Sequence, residues 1–479
     1  MAEFEAWSDS ALGGPPAETR VLAAASTRTG RRGIDLRYPV LDEAGGASLI
    51  QRLREARRCL LGRPVLEIAE CLGSVGRRFL DEDDSLRMRA LELLPRTAGV
   101  SEPMAAAVLD GMAADWTPER LRILLEAEFG DPSVLDRYVS REGGGRTRVL
   151  GPPFAIHLSS GSVPGVSVTS IMRSLLVKTA VLLKPGRGDV VLPVLFAEGL
   201  ASLDPDLASA VSVLYWPGVE EPVGGRLLAG ADLVVVYGTD TTVESVRRRL
   251  PAHVPLVAYR HRASVALVGR AALTRSTLAS IAQDVARAVA MFDQRGCVSP
   301  QVIWVEEGGE VSPKTMAAAV AQALERLEDS LPTGSLDRNE ASALQQRRGT
   351  AELLAASGAD VAMWSGGAAP WTVVFEGRSS ELGSGPGRFL RIRSIEDASG
   401  IGGVLEPLAP HLQTVAVVGL GDRMEGIAER LAFAGAVRIT PLNRAPWPPP
   451  WWHHDGEGPL RALSRWVDLE GGLPRHSSS

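Results

Sequence analysis

The strongest constraint on the fold of this chain begins near residue 141, where REGGG breaks a helical region. Beyond it, strand candidates and helical segments alternate: RVLGPPFAIHL, VSVTSIMRSLLVK, TAVLLKP, LPVLFAEGLASL, AVSVLYWPG, ADLVVVYG, TTVESVRRRL and SVALVG. The strand runs are short, β-branched and apolar on both faces, and the segments between them carry helical periodicity. Such alternation predicts a parallel sheet covered by helices on both sides. Ligands in sheets of this kind bind beyond the carboxyl ends of the strands.

The rest of the chain divides around that core. Residues 1–140 read as mainly helical, with LIQRLREARRCLL and DDSLRMRALELL each presenting one apolar face. The α/β unit is expected over 141–271 and a second one over 272–445. The second opens with LASIAQDVARAVAMF, where Ile281, Val285, Ala288 or Val289, and Phe292 fall on one helical face. WTVVFE, RFLRIRSI and QTVAVVG are further strand candidates, and the proline-rich tail 446–479 reads as an interdomain or oligomer contact. With 479 residues, 45% hydrophobic and 23% charged, the chain has the composition of a globular protein with a large core. A formal net charge of -6 with mixed signs argues against a nucleic-acid surface. Three cysteines make no disulfide framework, and MAEFEAWSDS is unlike a secretion signal. A cytoplasmic protein without a membrane span is the expectation.

Chemistry concentrates in three segments. FDQRGCVSP sets Cys297 between Gly296 and Ser299-Pro300, at a helix-to-strand junction. A cysteine there is either a packed thiol or a nucleophile whose carbonyl adduct backbone amides stabilise. HLSSGSVPG, residues 157–165, makes a tight open loop between a strand and a helix. TAVLLKPG ends an apolar strand on Lys184, which suits either a solvated strand end or a contact to ribose or phosphate. VAVVGLGDRMEGIAERL imitates a dinucleotide fingerprint, but Met424 stands where the third glycine is required. No spaced histidine–cysteine cluster suggests a metal.

The order and spacing of these segments resemble the aldehyde dehydrogenase superfamily. Within it they are most similar to the long-chain acyl-CoA or acyl-protein reductases of bacterial bioluminescence. HLSSGSVPG, IMRSLLVKTAVLLKP, LPVLFAEGLASLDPDLA, VLYWPG, FDQRGCVSPQVIWVEEGG and HLQTVAVVG carry the likeness, from about residue 145 to HHDG near 455. The resemblance implies an aldehyde dehydrogenase-like α/β fold with two domains and a cleft between them. Residues 141–271 would bind NADP and residues 272–445 would carry the nucleophile, Cys297. It gives Lys184 to the adenosine ribose, and Gly238 and Thr239 to the pyrophosphate at a helix N-terminus. Arg187, close after Lys184 in KPGRGD, suits the 2′-phosphate of NADPH, and the resemblance also points to NADPH ahead of NADH.

Two departures from the superfamily pattern bear on the reaction. Ser162 stands where ordinary aldehyde dehydrogenases have the oxyanion-binding asparagine, so either its hydroxyl or nearby backbone amides take that role. Ala258 falls about where the hydrolytic enzymes carry a water-activating glutamate, which favours thioester reduction. His261 is a proton-transfer group, a cofactor contact or a surface residue, and His453 and His454 either line the cleft or sit in a loop. The expected reaction is NADPH-dependent reduction of an acyl-CoA or acyl-carrier-protein thioester to an aldehyde through an acyl-cysteine. The alternatives are a CoA-acylating or hydrolytic aldehyde dehydrogenase, and a non-catalytic scaffold. The resemblance also implies a homo-oligomer and a partner that supplies activated acyl groups.

Overall fold

Helical periodicity in the first third of the chain resolves into five helices, α1 (Glu43–Leu61), α2 (Val65–Arg78), α3 (Ser85–Thr97), α4 (Glu102–Ala113) and α5 (Pro118–Phe129). The computed structural model describes residues 3–8, 16, 18–23, 33–218, 222–367, 370–377, 385 and 387–470. Three helix starts are capped by side chains: Asp42 accepts from Gly45 N, Asp84 from Leu86 N and Ser101 from Met104 N. The region also holds strands the sequence did not announce: β1 (Glu3–Glu5), β2 (Thr19–Leu22) and β3 (Asp35–Pro39) form a small sheet in the order β1-β3-β2. Cys59 and Cys71 pack half-buried beside Asp204 and Asp206, and burial raises both thiols.

The run RVL, expected in the first α/β unit, lies elsewhere. Strands β4 (Val139–Ser140) and β5 (Arg146–Leu150) are antiparallel. A strand from the far end of the chain, Arg465–Leu469, pairs with the other edge of β5. The tail thus returns to the front of the molecule, with its RWVDL extended. Residues 471–479 of the tail lie outside the described residues.

The first large sheet contains β6 (Phe154–Leu158), β7 (Ala180–Lys184), β8 (Val211–Val213), β9 (Leu233–Gly238) and β10 (Leu256–Arg260), in the order β10-β9-β6-β7-β8 and parallel throughout. Helices α6 (Val166–Leu176), α7 (Val191–Leu203), α8 (Pro205–Ala208), α9 (Pro222–Ala229) and α10 (Asp240–Arg247) connect its strands. Every residue of β6 and β8 is buried, as expected of strands covered on both faces. The chain leaves β6 toward β7 on one side and reaches β9 on the other, so strand order reverses at β6.

The second large sheet begins earlier than expected. Strand β11 (Ala263–Val268) pairs with strands of that sheet, so the change of unit falls at residues 261–262 and not at 272. SVALVG looks like one more strand of the first alternation, and only its pairing reveals the switch. The sheet continues with β12 (Pro300–Glu306), β13 (Ala362–Ser365), β14 (Thr372–Phe375), β15 (Phe389–Ile395), β16 (Leu412–Val418) and β17 (Arg438–Pro441). Its order is β13-β14-β15-β12-β11-β16-β17, with β13 antiparallel to β14 and the other pairs parallel. Between these strands lie α11 (Leu278–Ala290), α12 (Pro313–Ser330), α13 (Arg338–Ala356), α14 (Ile401–Leu405) and α15 (Met424–Phe433); the last strand of the chain, Arg465–Leu469, is β18. The polar stretch 333–360 contains α13, opened by a capping box between Asp337 and Glu340. Gly419, in the imitation fingerprint after β16, has φ +72°, and a Cβ there would lie 2.3 Å from the Ala272 Cβ. Close packing accounts for that glycine without any nucleotide.

Candidate active site

Cys297 stands where α11 gives way to β12. The helix ends at Ala290, so Phe292 leaves the helical face assigned to it. Phe292, Asp293 and Gln294 take φ of 58°, 50° and 62°, the left-handed region. Each such non-glycine residue costs on the order of 1–2 kcal/mol unless its surroundings fix it. Here they do. Asp293 accepts from Arg388 Nε at 3.0 Å and Nη2 at 2.8 Å, both side chains fully buried, and from Gly334 N at 3.1 Å. Gln294 Nε2 donates to the carbonyls of Pro300 and Phe389 at 2.9 and 3.0 Å. Ser264, at the start of β11, donates its hydroxyl to the Cys297 carbonyl. A Cβ on Gly296 would press on the Phe292 ring at 3.1 Å, a tight contact that glycine avoids.

Cys297 opens onto a cavity of about 960 Å³, its open mouth included. The lining is chiefly apolar: Met112, Trp116, Leu121, Leu124, Val163, Val166, Met172, Phe292 and Val298 from the helices and loops, with Pro446–Pro450 and Trp452 from the tail. The tail is therefore a strap over this cavity. Trp447 lies directly on α4; a Cβ at Gly111 would come within 2.1 Å of its indole. Trp447 also meets the Phe292 ring edge-on, with centroids 5.2 Å apart.

At the polar end, Trp452, His454, Tyr259 and Tyr237 form a stack with successive centroid separations of 4.7, 4.4 and 4.6 Å. Burial lowers His454 to about 3, so its imidazole is neutral near pH 7. Burial and then the negative charge of Asp455 push the Cys297 thiol up to about 11. Asp455 itself, raised by burial, pairs with Arg262 at 3.2 Å. The Gln413 carboxamide favours the charged forms of both Cys297 and Asp455, although neither of its polar atoms meets strict hydrogen-bond geometry. His157, in the loop segment read from sequence, is a core histidine held between the hydroxyls of Ser170 and Ser174 at 2.6 and 2.8 Å.

The other sequence candidates separate into groups. Lys184 ends β7 and Gly238 ends β9, on either side of β6, so both lie at the carboxyl edge of the first sheet. Thr239 is the exposed N-cap of α10, accepting from Thr242 N at 3.3 Å. The Lys184 ammonium lies 5.6 and 5.7 Å from the ring centroids of Tyr215 and Trp216, and burial lowers it to about 8. Ser162 and Arg187 share a second cavity with Arg96, Arg295 and Glu340, and that cavity does not include Cys297. Arg187 donates to the Ala23 carbonyl. His261 is exposed at the end of β10 and lines neither cavity. His454, of the two tail histidines, lines the cavity of Cys297.

Sequence reading passed over Arg173, Tyr237, Gln413 and Asp455 as site residues. Only Arg173 carried a signal, a lone cation inside the apolar helix IMRSLL. Among the described residues, no group of three histidine, cysteine or acidic side chains could hold a metal ion, and no helix is long and apolar enough to cross a membrane.

Residues 62–466 match the family described as acyl-CoA reductase (LuxC). The long-chain acyl-protein thioester reductase 2 of Photobacterium leiognathi is 23% identical over 424 residues, 84% of this chain and 82% of that protein. The long-chain acyl-protein thioester reductase of Aliivibrio fischeri is 25% identical over 286 residues, 58% of this chain and 57% of its own length. Among solved structures, methylmalonate-semialdehyde dehydrogenase of Oceanimonas doudoroffii superposes with a TM-score of 0.75 at 12% identity, covering 99% of both chains. NADP-dependent glyceraldehyde-3-phosphate dehydrogenase of Bacillus halodurans C-125, complexed with NADP, gives 0.71 at 15% identity, over 95% of this chain and 96% of that one. These superpositions establish an aldehyde dehydrogenase-like fold.

Proposed function

Because this chain belongs to the acyl-CoA reductase (LuxC) family, we propose that it reduces an acyl thioester, carried on CoA or on a protein, to the aldehyde through an acyl group on Cys297. The observation that carries the reading is the placement of Cys297 at the wall of a largely apolar cavity, in a turn fixed by buried ionic contacts. Its sulfur adds to the thioester carbonyl. The carrier thiolate leaves and takes up the proton released by the Cys297 thiol. A thiol held near 11 gives up that proton only as it attacks. Ala258, half-buried in β10, offers no carboxylate to activate water against the acyl-cysteine.

The fold and family imply an NAD(P) cofactor, and the residues present fit it. The Lys184 cation lies over the Tyr215 and Trp216 rings, and the N-terminus of α10 is exposed at the same sheet edge. NAD(P)H, when bound there, supplies the hydride that reduces the acyl-cysteine. Lys184 would hold the adenosine ribose, and Gly238 with Thr239 the pyrophosphate. The preference for NADPH is assigned to Arg187, whose positive charge acts on the Tyr215 hydroxyl beneath Lys184. Replacing Arg187 with serine is expected to lower the NADPH-to-NADH ratio of kcat/KM about tenfold. The apolar cavity takes the acyl chain, whose donor is made by an acyl-activating or acyl-transferring enzyme. A homo-oligomer contact is assigned to the edge of β18 away from β5, where Trp466 is exposed.

The test is to incubate the enzyme with acyl-CoA of graded chain length and NADPH. Aldehyde equimolar with oxidised cofactor is expected. Carboxylic acid as the product, or no cofactor oxidation with any donor, would overturn the reading.

A further inference from the structure

Arg173 sits on α6, on the face that also brings Val166 and Thr169 to the cavity of Cys297. It is 6% exposed. A guanidinium cannot shed its charge, and an isolated buried cation costs several kcal/mol. Yet among the described residues no carboxylate comes within ion-pair distance of Arg173, and its Nε has no hydrogen-bond partner. Asp115, the acidic residue on the same cavity wall, is occupied by Arg120 at 2.7 Å. The groups that feel the Arg173 charge are the Tyr237 hydroxyl, within its hydrogen-bonding reach, the Tyr259 hydroxyl, the neutral imidazoles of His454 and His157, and, through space, the Asp115 carboxylate. Tyr237 also senses charge on Cys297. A cation whose nearest carboxylate is already paired with Arg120 therefore lies one phenol away from the nucleophile, on the wall of the same cavity. Meanwhile Ser162, one of the two oxyanion donors left open by the sequence, lines the other cavity.

We propose that Arg173 is a catalytic residue whose guanidinium, with the Tyr237 hydroxyl, stabilises the oxyanion formed at the acyl carbonyl. The inference rests on the thioester-reductase reading. Two oxyanions arise. In the first, the Cys297 sulfur adds to the thioester, the carbonyl π pair moves to oxygen, and its return breaks the bond to the carrier thiolate. In the second, hydride from NAD(P)H adds to the acyl-cysteine, and return of the pair expels the Cys297 thiolate and frees the aldehyde. In each case negative charge appears on oxygen only near the transition state, so a fixed cation acts on kcat more than on KM.

The experiment compares the parent enzyme with Arg173→Ala and Arg173→Lys, using tetradecanoyl-CoA and NADPH. For Arg173→Ala, kcat should fall about 100-fold while the KM for acyl-CoA stays within about threefold. Added guanidinium ion should restore at least about tenfold of the loss, which a purely structural role would not allow. Arg173→Lys should fall between the two. A kcat within about threefold of the parent, a loss confined to KM, or a folded Arg173→Ala enzyme unresponsive to guanidinium would each overturn the proposal. If Arg173→Ala does not fold, Arg173→Lys decides: parent-like kcat overturns the proposal and a kcat lowered at unchanged KM supports it. If the parent makes no aldehyde, the reductase reading fails instead.

Discussion

Two cavities meet back to back at the nucleophile loop, and their chemistry is opposite. One, holding Cys297, is walled by valine, methionine, tryptophan and proline. The other, holding Ser162, is walled by Arg96, Arg187 and Arg295 with Glu340. The partition between them is thin. Val163 lines the first cavity and Ser162 the second; Gly296 lines the first and Arg295 the second. Neighbouring residues in both loops thus line different cavities, one apolar and one polar. A correctly aligned position is therefore weak evidence for a side chain's role. The loop carrying Ser162 sits beside the nucleophile loop, but Ser162 lines the second cavity and not the cysteine's.

The largest expected effect that tests this contrast is on the apolar side. Cys297→Ala should lose turnover by on the order of 10⁴-fold while dinucleotide binding, measured by fluorescence titration, stays near the parent value. Next is the fit between Trp447 and Gly111. Gly111→Val drives the indole into the cavity, and kcat/KM for tetradecanoyl-CoA should fall by about 30-fold relative to butanoyl-CoA. The double variant Gly111→Val/Trp447→Ala should recover much of that ratio, because the valine then occupies space the indole has left. An unchanged chain-length profile in both variants would separate the strap from acyl recognition.

A thiol held up near 11 is protonated at neutral pH, and its thiolate fraction rises as pH climbs toward that value. Iodoacetamide should therefore modify Cys297 about tenfold faster per pH unit between pH 7 and 9 in the enzyme without ligands. Asp455→Asn removes a negative charge that raises the thiol, so it should lower the thiol pKa and speed alkylation at pH 7. A plateau below pH 8 would show that the thiolate is already formed. The smallest effect belongs to the polar side. Ser162→Ala should change kcat less than about threefold, whereas removal of a working oxyanion donor costs roughly 10²–10³.

Much of the fold is legible in the sequence, because buried parallel strands leave uninterrupted apolar runs and their crossover helices leave a 3.6-residue period. Strand pairing is not. SVALVG reads like its predecessors, yet as β11 it opens the second sheet, and RWVDL at the tail pairs with RVL more than 300 residues earlier. Within the site, Cys297 and Lys184 stand out because glycine flanks the one and an apolar strand ends at the other. Arg173, Gln413 and Asp455 gain their meaning only from what lies opposite them in space. The three left-handed residues before Cys297 were invisible for the same reason, since Asp293 is held by Arg388 and Gln294 by the Phe389 carbonyl, both almost 100 residues away.

The covalent step is tested most directly by intact-protein and peptide mass spectrometry of the enzyme mixed with acyl-CoA in the absence of reduced cofactor. The account predicts a mass gain of one acyl group, localised to Cys297 and discharged as aldehyde when NADPH is added. An enzyme that makes aldehyde at the normal rate while the acyl group appears on another residue, or on none, would contradict it.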